Sequence, residues 1–178
     1  MIGPEVEVRD AAQGDFAAIQ AIYARHVLKG LASFEEVPPD VEEMLRRHAE
    51  VVERGLPYLV AVQDGAVMGY GYCTLFRARS AYRYSLEDSI YVRDDSLGKG
   101  IGSKLLSGVL ARCERLDYRQ VIAVIGDSAN AASIALHARH GFVRVGTLRS
   151  SGFKLGRWVD SVYMQRPLGP GDGAPPAI

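Results

Sequence analysis

The sequence has no excess of either charge: lysine plus arginine and aspartate plus glutamate each number 21 in 178 residues. Nucleic-acid binding rests on clustered cations, so this balance gives no global electrostatic reason to expect a nucleic-acid partner. Cysteine is scarce. Cys73 and Cys113 stand far apart in no metal-binding or redox spacing, and they read as buried thiols in a reducing compartment. No metal site is expected. No apolar run approaches the roughly 20 residues that span a bilayer. The start lacks the basic segment and apolar stretch of a signal peptide. A cytoplasmic protein without a membrane partner is therefore expected. No internal repeat is visible, and this length suits one domain with a substantial core.

What is present is periodicity, punctuated by turn residues. Glu5 to Arg9 alternates as an opening strand. Asp15 is placed to cap a helix with Phe16, Ile19, Tyr23 and Val27 near one face. Asp40 and Glu43 resemble a capping box for a second helix, with Val41, Met44, Leu45 and His48 turned inward and an end near Gly55. Tyr58 to Val62, the Asp64-Gly65 turn and Val67 to Phe76 predict a hairpin. Leu86 to Val92 is the next strand. A long helix then carries Ile101, Leu105, Val109 and Cys113 at four-residue steps. Gln120 to Ile125 is an apolar strand, Asn130 opens a further helix, and Gly141 suits its end. Phe142 to Thr147 and Val159 to Gln165 supply closing strands. About seven strands and four helices make an α/β or α+β fold around a mixed sheet. The domain is read as 1–166, and the Pro- and Gly-rich residues 167–178 as a flexible tail.

Between the Leu86–Val92 strand and the long helix lies Leu97-Gly98-Lys99-Gly100-Ile101-Gly102-Ser103. Alternating glycines let backbone N–H groups approach an anion, and the helix behind adds its positive end. A pyrophosphate suits such a site; a tight turn without a ligand explains the glycines alone equally well. The spacing is neither a Walker loop nor the dinucleotide fingerprint, and several strands precede it.

This loop, followed by a long helix, an apolar strand, Asn130-Ala131-Ala132-Ser133-Ile134-Ala135-Leu136-His137 and Gly141-Phe142, resembles the GCN5-related N-acetyltransferase superfamily from Val6 to about Arg166. The resemblance implies a mostly antiparallel mixed sheet whose central strands splay to admit acetyl-coenzyme A. It assigns coenzyme contacts to Gly98, Lys99, Gly100, Ile101, Gly102 and Ser103, to the main chain of Ile90, Tyr91 and Val92, and to Asn130 and Ser133. Leu97 departs from the Gln or Arg usual in the family. Asn130 also suits a helix cap, and Lys99 a solvated loop.

Three further stretches, Arg77–Tyr82, Leu86–Val92 and Gly152–Asp160, are similar to the phosphinothricin/methionine sulfone acetyltransferase branch, whose members are typically homodimers. That likeness implies acetylation of the primary amine of a small amino acid analogue by direct attack on the thioester. Glu87 is implied as the base that deprotonates the amine, and His137 as a proton donor or acceptor. A solvated strand carboxylate and a packing histidine are the plainer readings. For the acceptor, the anion-binding fork of Arg79, the walls Phe34, Tyr82 and Trp158, and the charge of Lys154, from the neighbouring subunit, are the candidates. Arg77, Arg79 and Arg83 also suit a solvated basic face. Acetylation of another small amine or a protein N-terminus, and acetyl-coenzyme A sensing without catalysis, are the alternatives.

Overall fold

The computed structural model describes residues 5–176; residues 1–4 and 177–178, at the ends of the expected domain and tail, lie outside the described residues. In chain order the elements are β1 (Glu7–Asp10), α1 (Phe16–Lys29), α2 (Val41–Glu53), β2 (Tyr58–Gln63), β3 (Ala66–Leu75), β4 (Ser85–Val92), α3 (Ile101–Arg115), β5 (Gln120–Gly126), α4 (Ala131–Arg139), β6 (Val143–Lys154) and β7 (Arg157–Pro167). The seven strands form one sheet in the order β1-β2-β3-β4-β5-β7-β6. Only the β4–β5 pair is parallel. The expected mixed sheet, strand count and helix count are all found.

Strand alternation divides the core between two faces. Leu59, Gly69 and Gly71 face α3: a Cβ on Gly69 would meet Leu105 at 3.2 Å, and one on Gly71 would meet Val109 at 3.6 Å. Absence of side chains here lets α3, with Ile101, Leu105, Val109 and Cys113 buried, lie close to the sheet. The opposite face carries a ladder of tyrosines. Tyr58, Tyr70 and Tyr72 stack nearly parallel, with centroids 4.8 to 6.2 Å apart, and Tyr23 of α1 meets Tyr91 edge-on at 5.0 Å. His48 of α2 packs against Phe16 and Tyr58. Cys73 and Cys113, remote in sequence, meet across the α3–β3 contact within hydrogen-bonding distance; both are fully buried and free.

Several local expectations change. Asp15 does not cap α1. Residues 13–15 form a single 3-10 turn, so Asp15 already has helical dihedrals, and its carboxylate turns back to accept from Arg9 and from the Ala12 amide at 2.8 Å. Asp40 does cap α2, accepting from the Glu43 amide at 2.8 Å. Glu43 instead binds Arg46 and Arg47, so only half of the capping box forms. Val41 lies outside the inward stripe, which Met44, Leu45, His48 and Val51 carry. The last two strands run far beyond their apolar segments and meet at a Leu155-Gly156 turn with φ of +51° and +75°. Strand β7 includes Pro167, one residue past the expected boundary, and Leu168 beyond it is buried while its amide donates to the Arg119 carbonyl.

Candidate active site

The parallel pairing of β4 with β5 lasts only from Ser85–Gln120 to Asp88–Ala123. Beyond it, β4 stays with β3 as far as Val92, and β5 stays with β7 as far as Gly126. The two strands therefore part at Asp88. Arg93 donates to the Met68 carbonyl and Phe76 to the Ser85 carbonyl, which fixes the alternation of the β3–β4 ladder. Odd-numbered residues of β4 bond to β3, and the amides of Ile90 and Val92 turn toward the gap. The Tyr91 backbone is committed to β3 and its ring packs against Tyr23 and Tyr70, and Tyr91 is among the residues that line the gap. A cavity of about 320 Å³ fills the opening, with Glu87, Asp88, Asn130, Ser133 and His137 among its walls.

At one end of the gap stands the glycine turn. Gly98 and Gly100 have φ of +74° and +78° with open space around them, and Gly100 caps α3. Backbone N–H groups of the first turn of α3 are thus left free of side-chain cover, an anion-binding arrangement. Gly102 serves packing instead: its missing Cβ would lie 3.3 Å from Leu136 and 3.6 Å from Val92. Ile101 is buried, Lys99 is exposed, and the Ser103 hydroxyl bonds to His140 at 2.8 Å. Leu97 is 60% exposed beside the loop. Asn130 caps α4 by accepting from the Ser133 amide at 3.1 Å.

Glu87 and Asp88 point to opposite faces of β4, as neighbours on a strand must. Glu87 lies on the tyrosine face, half-buried, with the Arg77 guanidinium 3.9 Å away. Burial pushes its carboxyl above the usual carboxylate range; Arg77 opposes this and Asp88 adds to it. Asp88 lies on the helix face, buried against His137, with 3.0 Å between its Oδ2 and the ring Nε2. The other ring nitrogen, Nδ1, donates to the Ser133 carbonyl at 2.8 Å. Burial alone would lower the His137 pKa, but the hydrogen bond and charge of Asp88 and the Ser133 carbonyl outweigh it and raise it.

Of the acceptor candidates, only Phe34 reaches this cavity. It is held by two glycines. A Cβ on Gly152 would meet the Phe34 ring at 2.5 Å, and one on Gly126 would lie 2.0 Å from the Leu31 carbonyl and 3.4 Å from the same ring. Lys154 is buried and donates to the Ser33 carbonyl of its own chain at 2.5 Å, tying β6 to the loop after α1. Arg79 is exposed on the loop after β3; Tyr82 packs edge-on against Phe76, and Trp158 against Phe153. Asp88 was the residue sequence reasoning passed over. Its signal was present: in Leu86-Glu87-Asp88-Ser89-Ile90 it is a carboxylate on the apolar side of the alternation. No group of three or more metal-binding side chains occurs among the described residues.

Residues 19–142 match the model of the acetyltransferase (GNAT) family. The chain is 57% identical over 165 residues to a phosphinothricin N-acetyltransferase of Alcaligenes faecalis, covering 93% of this chain and 84% of that one. It is 38% identical over 169 residues to an L-methionine sulfoximine/L-methionine sulfone acetyltransferase of Pseudomonas paraeruginosa, covering 94% and 98%. A crystal structure of a phosphinothricin acetyltransferase from Sinorhizobium meliloti, in complex with acetyl-coenzyme A, superimposes with a TM-score of 0.94 at 47% identity, covering 97% of this chain and 93% of that one. The parted strands, the bare helix terminus and these likenesses lead to one conclusion: the chain belongs to the acetyltransferase (GNAT) family.

Proposed function

We propose that this protein acetylates the primary amine of a small amino acid analogue of the phosphinothricin, methionine sulfone or methionine sulfoximine type. The observation that carries the chemistry is the gap between β4 and β5, with a carboxylate of raised pKa at its edge and two backbone amides turned into it. The names of the relatives supply the acceptor class.

Acetyl-coenzyme A fits this site and supplies the acetyl group as a thioester. Its pyrophosphate is assigned to the amides behind Gly98 and Gly100, and its arm to the gap. Glu87 takes the proton of the incoming ammonium; a base of raised pKa suits that transfer near neutral pH. The amides of Ile90 and Val92 are the donors for oxygen charge that develops at the carbonyl. Asp88 and the Ser133 carbonyl favour the protonated ring of His137, so we assign it as a proton donor rather than a base.

A cytoplasmic homodimer completes the reading. The sheet ends at β6, whose exposed Val143, Val145, Leu148 and Phe153, with Trp158 of β7, leave a long apolar edge uncovered. The free state of the two adjacent thiols accords with a reducing compartment. Coenzyme A release, followed over a panel of amines with wild type and Glu87→Ala, tests the activity. Turnover of the sulfone-type compounds, lost in the variant, is expected. Turnover of peptides alone would overturn the acceptor class, and acetyl-coenzyme A binding without turnover would favour a sensor. Light scattering checks the dimer.

A further inference from the structure

Past Asp88 the parted strands, residues 89–92 of β4 and 124–126 of β5, no longer pair with each other. Ladder hydrogen bonds therefore do not set the width of the gap there. One short segment touches both free ends. His26, in the last turn of α1, reaches the end of β4, and Leu31, just past the helix, reaches the end of β5.

At β4 the contact is polar. A groove of about 480 Å³, walled in part by Ala18, Ala21, Val67 and Val92, lies between α1 and the strand end. The His26 ring crosses it, packed against Tyr91 with centroids 5.3 Å apart. A carbonyl oxygen can only accept, so His26 Nε2 carries the hydrogen and donates to the Val92 carbonyl at 3.0 Å. The Arg93 N–H of the same peptide unit donates to the Met68 carbonyl at 2.9 Å. That peptide plane is thus held from both sides, which fixes the neighbouring Val92 amide as a donor facing the gap. Arg25 adds an ion pair to Asp94 beyond the strand, but both partners are exposed, and such a pair contributes little.

At β5 the contact is steric. The Gly30 amide ends α1 by donating to the His26 carbonyl at 3.1 Å. Leu31 follows, with its carbonyl so close to Gly126 that a Cβ there would stand 2.0 Å away. The backbone of β5 and that of the segment therefore meet with nothing between them.

We infer that residues 26–31 form a bracket across the parted strands, with His26 as a positioning residue. Acting through the Val92 peptide, it holds the gap at the width of the coenzyme's pantetheine arm. This rests on the acetyl-coenzyme A reading above. The nucleotide end of the coenzyme, assigned to the glycine turn, lies outside the bracket and does not depend on it.

Calorimetry with two probes tests this: acetyl-coenzyme A, and 3′-phospho-ADP, the same coenzyme cut off before the arm. His26→Phe keeps a ring against Tyr91 and loses the donor. It is expected to weaken acetyl-coenzyme A binding by about tenfold, the scale of one hydrogen bond, and 3′-phospho-ADP binding by less than about twofold. His26→Gln, whose side-chain amide can donate to the same carbonyl, is expected to recover most of the loss. His26→Ala makes the same comparison if the Phe variant fails to fold. No loss for acetyl-coenzyme A, an equal loss for both probes, or a Gln variant as weak as the Phe one overturns the bracket and leaves the acetyltransferase reading intact. Failure of wild type to bind acetyl-coenzyme A overturns both.

Discussion

His137 and Asp88 meet on the helix face of β4 with 3.0 Å between Nε2 and Oδ2, while His137 Nδ1 lies 2.8 Å from the Ser133 carbonyl. The Ser133 carbonyl accepts from one ring nitrogen and Asp88 faces the other, so the pair favours the protonated ring and raises the His137 pKa. Opposite charges enclosed together support each other, and removing one leaves the other exposed to the full cost of burial.

Asp88→Asn should therefore neutralise His137. In wild type the raised pKa keeps the ring charged above its ordinary value near 6.5. The stability this contributes is fully present below the unfolded-state pKa and is lost as pH rises through the folded one. The thermal midpoint of the variant should thus fall furthest behind wild type near pH 6, with the difference narrowing in alkali. The alkaline limb of kcat should shift to lower pH. A variant with an unmoved limb would show that the charge on His137 has no part in turnover.

Glu87→Gln removes the proposed base and keeps the shape. Turnover should drop by about 10²- to 10⁴-fold, with acetyl-coenzyme A affinity little changed, as read by calorimetry. In wild type, the acid limb of kcat/KM should sit above the ordinary carboxylate pKa, because burial raises that of Glu87.

Gly100→Ala places a Cβ at φ of +78°, a conformation that costs a non-glycine residue about 1–2 kcal/mol. The turn is expected to relax away from it, weakening acetyl-coenzyme A binding together with the thermal midpoint. Gly146→Ala, in open space on β6 without a positive φ, is the matched control and should do neither.

Gly152→Ala pushes against the Phe34 ring, where a Cβ would come within 2.5 Å. The loop after α1 should swing aside, raising KM for the acceptor more than the dissociation constant of acetyl-coenzyme A. Equal changes in both would place Phe34 on the coenzyme side of the cavity.

The sheet, its helices and the glycine turn were readable in the chain because each is written locally. Asp64-Gly65 specifies a hairpin, and the four-residue steps from Ile101 to Cys113 specify the buried stripe of α3. The motif around Glu87 and His137 singled them out, and both stand in the wall of the cavity. What stayed hidden depends on residues brought together from afar. Nothing local links Asp88 to His137, Lys154 to Ser33 or Gly152 to Phe34. The long β6 was under-read because its residues are exposed on both faces, which removes the alternation that marks a strand. Asp15 misled for the opposite reason: it has the right residue type at the right place, but Arg9 claims its carboxylate.

The meeting of Cys73 and Cys113 has a practical side. Both sulfurs are sealed between α3 and β3, so a thiol-modifying reagent must wait until helix and strand separate. The native chain thus carries its own clock. The pace of its alkylation counts how often the glycine-loop helix lifts from the sheet, and a coenzyme gripping that helix should slow the count.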